Sequence, residues 1–154
     1  MRRYWLIGFL LLTGTAEAQR GSYFGFGVSY ATYSGLSTNY PQPSLQVGGP
    51  VADLELRGTL ESLLVAGNLG LDVLYPFIDT VDARLYAGGG VNTRLYFFYP
   101  NGFDLRAVFG GEYFFADDSG SPPSGVFGEV RTYLRRLLAE YPTVEGRVGV
   151  NLYF

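Results

Sequence analysis

The side chains in this 154-residue chain with reactive or ligating chemistry are carboxylates and guanidiniums, with little else. There are 14 Asp and Glu against 11 basic residues, every one of them Arg, and no His, Lys or Cys. Without His there is no Ser-His-Asp triad, and the commonest metal ligand and near-neutral general base is missing. Without Cys there is no thiolate nucleophile, thiolate zinc ligand or disulfide framework. Without Lys, Schiff-base and Ser-Lys chemistry are gone. Most enzyme classes have therefore lost a reagent before any motif is sought.

What remains is carboxylate chemistry. Asp53 and Glu55 lie two apart, about 7 Å along a strand, a spacing open to paired acid/base work. Their plainer reading is as partners of Arg. Asp117-Asp118 with Ser119 and Ser121 offers oxygen ligands of the kind Ca²⁺ takes, but a solvated loop is the much plainer reading. Gly88-Gly89-Gly90 lacks the strand-to-helix context of a phosphate loop, so it reads as relief of crowding or a bend inside a strand. No motif indicates catalysis, and the sequence calls for no cofactor and no metal.

The elements that position these charges show period two. Phe24, Phe26, Val28 and Tyr30 alternate with Gly25, Gly27, Ser29 and Ala31. Leu54, Leu56 and Leu60 alternate with Glu55, Arg57, Thr59 and Glu61, and the pattern returns at 69–77, 84–97, 103–115, 126–135 and 144–154. Sorted by parity, one strand face collects eight acids: Asp53, Glu55, Glu61, Asp72, Asp104, Glu112, Glu129 and Glu145. It also collects seven bases: Arg57, Arg84, Arg94, Arg106, Arg131, Arg135 and Arg147. The opposite face carries no charge.

In a soluble sandwich or ligand-binding barrel the apolar face points inward and the polar face meets water. In a transmembrane barrel the apolar face meets lipid and the polar face lines the interior. Balanced signs and the absence of Lys suit charges that must pair with one another away from water. Aromatics near strand ends, such as Phe24, Tyr75, Phe103 and Phe154, suit interfacial girdles. The pattern therefore predicts an all-β protein: an eight-stranded antiparallel transmembrane β-barrel wound as an up-and-down meander.

Seven strands are evident. The eighth is placed at 44–48, with Gly48-Gly49-Pro50 as its turn, and Tyr99-Pro100-Asn101-Gly102 is read as another turn. Residues 136–141 are read as loop, with a short helical turn as the alternative.

Residues 1–18 have the form of a secretory signal peptide. Arg2 and Arg3 precede the apolar stretch Trp5–Leu12, and Ala16-Glu17-Ala18 provides a small-x-small cleavage site. That leaves residues 19–154 as one barrel domain. Its nine Arg and thirteen acids argue against nucleic-acid binding.

The chain ends in Val148-x-Val150-x-Leu152-x-Phe154. This resembles the C-terminal signature of bacterial outer-membrane β-barrels. With the export signal and the alternation, the whole mature chain is similar to the small OmpA/OmpX-like barrels. The resemblance implies an outer-membrane location, outer-membrane lipid as the surroundings, and recognition of Val148, Val150, Leu152 and Phe154 by the barrel assembly machinery.

The expected function is that of a monomeric, non-enzymatic barrel with a structural, envelope-integrity or surface-contact role and a plugged, ion-paired interior. Two alternatives stand beside it. One is an outer-membrane barrel that binds or passes a small amphipathic molecule, and the other is a soluble periplasmic β-barrel ligand binder.

Overall fold

The structure, a computed structural model, describes residues 21–32, 41–63, 66–96, 99–115, 124–134 and 144–154. The segments 1–18 and 136–141 and residues Asp117, Asp118, Ser119 and Ser121 lie outside these. Eight strands run in chain order: β1 (Tyr23–Thr32), β2 (Gln42–Val51), β3 (Leu54–Leu63), β4 (Ala66–Asp79), β5 (Ala83–Tyr96), β6 (Tyr99–Phe115), β7 (Ser124–Tyr133) and β8 (Val144–Tyr153). Each pairs antiparallel with its sequence neighbours, and β8 pairs antiparallel with β1, so the sheet closes into a barrel.

The register sets the barrel's shape. Starting at Thr32, partners lead through Val144, Thr132, Ala107, Gly89, Val73 and Leu56 to Gly49. Gly49 adjoins Gly48, the partner of Tyr23, so the circuit returns to β1 opposite position 22, ten residues from its start. An eight-strand barrel with that offset tilts its strands by about 40°. A ten-residue strand then rises roughly 25 Å along the axis, the height of an outer-membrane apolar band.

The two faces are sorted opposite to those of a soluble barrel. Large apolar side chains point outward and are exposed, among them Val47 at 55%, Leu105 at 57% and Val148 at 62%. Arg57, Asp72, Arg131 and Arg147 are at most 1% exposed inside. A soluble ligand binder would require the reverse arrangement. Glycines make room for these interior side chains. A Cβ on inward-facing Gly88 would come within 2.8 Å of the Leu74 backbone, and one on Gly90 within 2.8 Å of the Asp72 backbone.

Three local features depart from simple alternation. First, β2 runs through Gly48-Gly49-Pro50 instead of turning there, so the expected strand at 44–48 extends to 42–51. Gly48 lies beneath the Tyr23 ring, where an added Cβ would meet the ring carbon Cζ at 2.6 Å. The chain reverses at Ala52-Asp53, between the paired Val51 and Leu54. Ala52 takes φ 55°, the left-handed conformation that such two-residue hairpins demand.

Second, Tyr99-Pro100-Asn101-Gly102 is not a turn. Pairing between β5 and β6 continues out to Tyr96 and Tyr99, and the register slips between Thr93 and Arg94. The extra residue is Gly102, at φ 75°, whose carbonyl accepts a 2.8 Å hydrogen bond from the Thr93 hydroxyl. This is a bulge built on a left-handed glycine.

Third, β4 bulges between Pro76 and Ile78. Proline has no N–H to give the ladder there. The displaced Phe77 ring stacks on Phe109 of β6, with centroids 6.0 Å apart.

Candidate functional site: an ion-paired interior

Alternation places residues of one parity from all eight strands in the lumen, so side chains distant in sequence meet across it. Among the described residues, six buried carboxylates (Glu55, Glu61, Asp72, Glu112, Glu129 and Glu145) face five buried guanidiniums (Arg57, Arg84, Arg106, Arg131 and Arg147). They form a layer near the chain termini and a larger assembly above it.

In the terminal layer one cation holds two anions. Arg84 of β5 bridges Glu55 of β3 and Glu112 of β6, the latter at 2.7 Å. The Tyr23 hydroxyl donates to Glu55 at 2.6 Å, and Tyr153 donates to Glu112 at 2.8 Å. Asn151 adds a 2.9 Å donor to Glu112. The Arg84 guanidinium lies over the rings of Tyr86 and Phe114, 5.6 and 5.8 Å from their centroids. Tyr23, Phe114 and Tyr153 form a buried aromatic cluster around this layer.

In the upper assembly one anion holds three cations. Glu129 of β7 receives Arg57 at 2.7 Å, Arg131 at 2.6 Å and Arg147 at 3.3 Å. The Tyr86 hydroxyl also donates to it, at 3.0 Å. Arg57 continues to Asp72 at 3.2 Å. Arg106 grips Asp72 through two nitrogens, Nε at 2.7 Å and Nη2 at 2.8 Å, the fork geometry that favours Arg over Lys. Arg131 also reaches Glu61 and, at 3.5 Å, Glu145, which accepts from the Tyr133 hydroxyl at 2.9 Å.

Uncharged side chains join the two regions. Arg147 donates to Ser44 at 3.0 Å and to Gln46 at 2.6 Å, and Gln46 donates to Asn151, which donates to Glu112. A continuous polar chain therefore runs from the terminal layer to Glu129.

Eleven of the fifteen residues placed in the ion-pair face are these buried ones. The other four require correction or lie elsewhere. Asp53 sits exposed in the β2–β3 turn, because the hairpin reverses at Ala52-Asp53, beyond Gly48-Gly49-Pro50. It therefore shares no face with Glu55, and the two do not form an acid/base pair. Arg94 is exposed beyond the Gly102 bulge, and Asp104 is half-buried near it. Strands β5 and β6, at 14 and 17 residues, exceed the roughly 9–11 that cross a bilayer, so their outer ends stand clear of the core. Parity fixes a residue's face but says nothing of its depth. Arg135 lies outside the described residues.

Sequence reasoning passed over Tyr23, Ser44, Gln46, Thr59 and Asn151 as partners in this network. Each shares the parity of the charged face, so extending the parity rule to uncharged polar residues would have found them. The C-terminal residues Val148, Val150 and Leu152 point outward and pair with Val28, Phe26 and Phe24 of β1. Phe154 lies beyond β8, and its N–H donates to the Ser22 carbonyl at 3.0 Å.

Chemically, the arrangement neutralises buried charge. Each of the six carboxylates already contacts a guanidinium, and no group of three or more acidic side chains suited to a metal ion occurs among the described residues.

No protein-family model matches the chain, and no curated protein matches it in sequence. Solved structures do share its fold. Neisserial surface protein A (NspA) superimposes with a TM-score of 0.56 at 12% identity, covering 86% of this chain and 96% of that one. The N-terminal β-barrel domain of Pseudomonas aeruginosa OprF gives 0.58 at 15% identity, covering 88% of this chain and all of that domain. The fold is that of the small eight-stranded outer-membrane barrels.

Proposed function

We propose that this chain is an exported, non-enzymatic outer-membrane barrel with a structural, envelope-integrity or surface-contact role. One observation carries the reading: apolar side chains cover the outside of the barrel while ion pairs occupy the inside. Only a surrounding of hydrocarbon makes that distribution favourable, since lipid needs no polar outer face and a closed wall leaves no backbone edge unpaired. The fold shared with NspA and the OprF barrel supports the same surroundings.

In this reading residues 1–18 direct export and are removed, and the assembly machinery reads the outward Val148, Val150, Leu152 and Phe154. The barrel stands as a monomer in outer-membrane lipid. The strand ends joined by the β1–β2, β3–β4, β5–β6 and β7–β8 connections lie opposite Tyr23 and Tyr153, and that end of the barrel is the one offered to the cell exterior. Fractionation tests the location. The protein is expected in the outer membrane, running at different gel positions before and after boiling, and recovery in the soluble periplasm refutes the reading.

We further read the interior as plugged. An eight-stranded barrel is just wide enough for its own side chains to fill, and here Tyr23, Tyr86, Phe114, Phe127, Tyr153 and five guanidiniums are buried in it. Planar bilayers holding the purified protein are expected to show no stepwise single-channel current, and steady conductance steps refute the plug.

A further inference from the structure

Two charged side chains in the upper assembly each keep one atom without a protein partner. Glu61 is 1% exposed, and its Oε1 meets Arg131 while its Oε2 meets nothing. Arg147 is also 1% exposed. Its Nε and Nη1 serve Ser44, Gln46 and Glu129, while Nη2 meets nothing. An acceptor and a donor that are buried and unmade forfeit their full desolvation cost, so native interiors satisfy such groups.

These two atoms belong to one ring of contacts. Ser44 of β2 is the register partner of Glu61 on β3. Ser44 accepts from Arg147 on β8, Arg147 pairs with Glu129 on β7, Glu129 pairs with Arg131, and Arg131 returns to Glu61. Glu61 and Arg147 are thus linked through a closed loop of neighbours without an ion pair between them.

We propose that this ring is a binding site for one internal water, which donates to Glu61 Oε2 and accepts from Arg147 Nη2, with the Ser44 hydroxyl beside it. The charge around the site selects the ligand. An added anion would face Glu61 and Glu129, and an added cation would face Arg131 and Arg147. A neutral molecule that both donates and accepts satisfies both orphan atoms and leaves no charge unpaired. Water of this kind, held by two to four polar partners, is a regular part of protein interiors. The site lies on the far side of Glu129 from the Tyr23, Phe114 and Tyr153 cluster.

A crystal structure of the wild-type barrel that places ordered solvent tests the site. The expected result is one water within hydrogen-bond distance of both Glu61 Oε2 and Arg147 Nη2. Loss of that water alone is expected in Glu61→Met. A direct Glu61–Arg147 bond, empty space between the two groups, or an anomalous bromide peak there after a bromide soak each overturns the proposal.

Discussion

Arg84 and Glu129 solve the same electrostatic problem with opposite signs. Near the termini one cation lies between two anions, Glu55 and Glu112. In the upper assembly one anion lies among three cations, Arg57, Arg131 and Arg147. The hubs differ in what remains when they are removed. Without Arg84, both carboxylates keep neutral donors: Tyr23 on Glu55, and Tyr153 and Asn151 on Glu112. Without Glu129, three guanidiniums face one another, and Arg147 loses its sole ion-pair partner among the described residues. The wiring of a buried network therefore matters more than the number of its pairs.

The largest expected effect follows directly. Glu129→Leu is expected to lower the unfolding free energy by about 5 kcal/mol, the upper end for stranding buried charge. Urea unfolding in lipid vesicles measures it by circular dichroism, since the sole Trp of the chain, Trp5, precedes the barrel strands in sequence. Arg84→Met is expected to cost less, about 3 kcal/mol, because the hydroxyl donors stay in place. A loss equal to or greater than that of Glu129→Leu breaks the contrast between the hubs.

Glycine substitutions probe each hub without removing a charge. A Cβ at Gly110 meets the Glu129 Cβ at 2.6 Å and the Gly128 carbonyl at 2.8 Å, neither of which can swing aside. Gly110→Ala is therefore expected to cost about 2 kcal/mol. At Gly125 the nearest atoms belong to the Glu112 side chain, which can shift, so Gly125→Ala is expected to stay below about 1 kcal/mol in the same assay. The smallest effect belongs to Asp53. It is exposed and carries no ion pair among the described residues, so Asp53→Ala is expected to change stability by no more than about 0.5 kcal/mol. A large loss there would return Asp53 to the network.

The period of the strands made much of this legible. Arg57, Arg106, Arg131 and Arg147 fall inside because side chains alternate on a pleated strand, and no structure was needed to sort them. The closed eight-strand meander likewise follows from alternation, chain length and the preference for even strand numbers. Depth was not legible. Arg94 and Arg106 share a parity, but only the register and the Gly102 bulge place the first beyond the barrel core and the second on Asp72.

Turn chemistry also misled. Gly48-Gly49-Pro50 has turn residues, yet its glycine serves the close approach of the Tyr23 ring, and the reversal falls on Ala52. Glycine in a strand has two possible causes, a turn or a crowded neighbour, and sequence does not separate them. Partner identity was beyond reach for a related reason. That Glu129 meets Arg57 depends on the ten-residue offset of the barrel, a property of the whole circuit and of no single strand.

That circuit bears on how the molecule forms. Hairpins can assemble from neighbours in sequence, but Arg131 reaches Glu61 and Arg57 reaches Glu129 across the lumen, between β7 and β3. In an open sheet only the neighbour-strand pairs, such as Arg57 with Asp72 and Glu129 with Arg147, can form, and Glu61 is left without its guanidinium. Pairing of β8 with β1 therefore completes the neutralisation of the interior. A half-closed barrel lacks the contacts of Arg57 with Glu129 and of Arg131 with Glu61, so closure adds a stabilisation that the separate hairpins do not have.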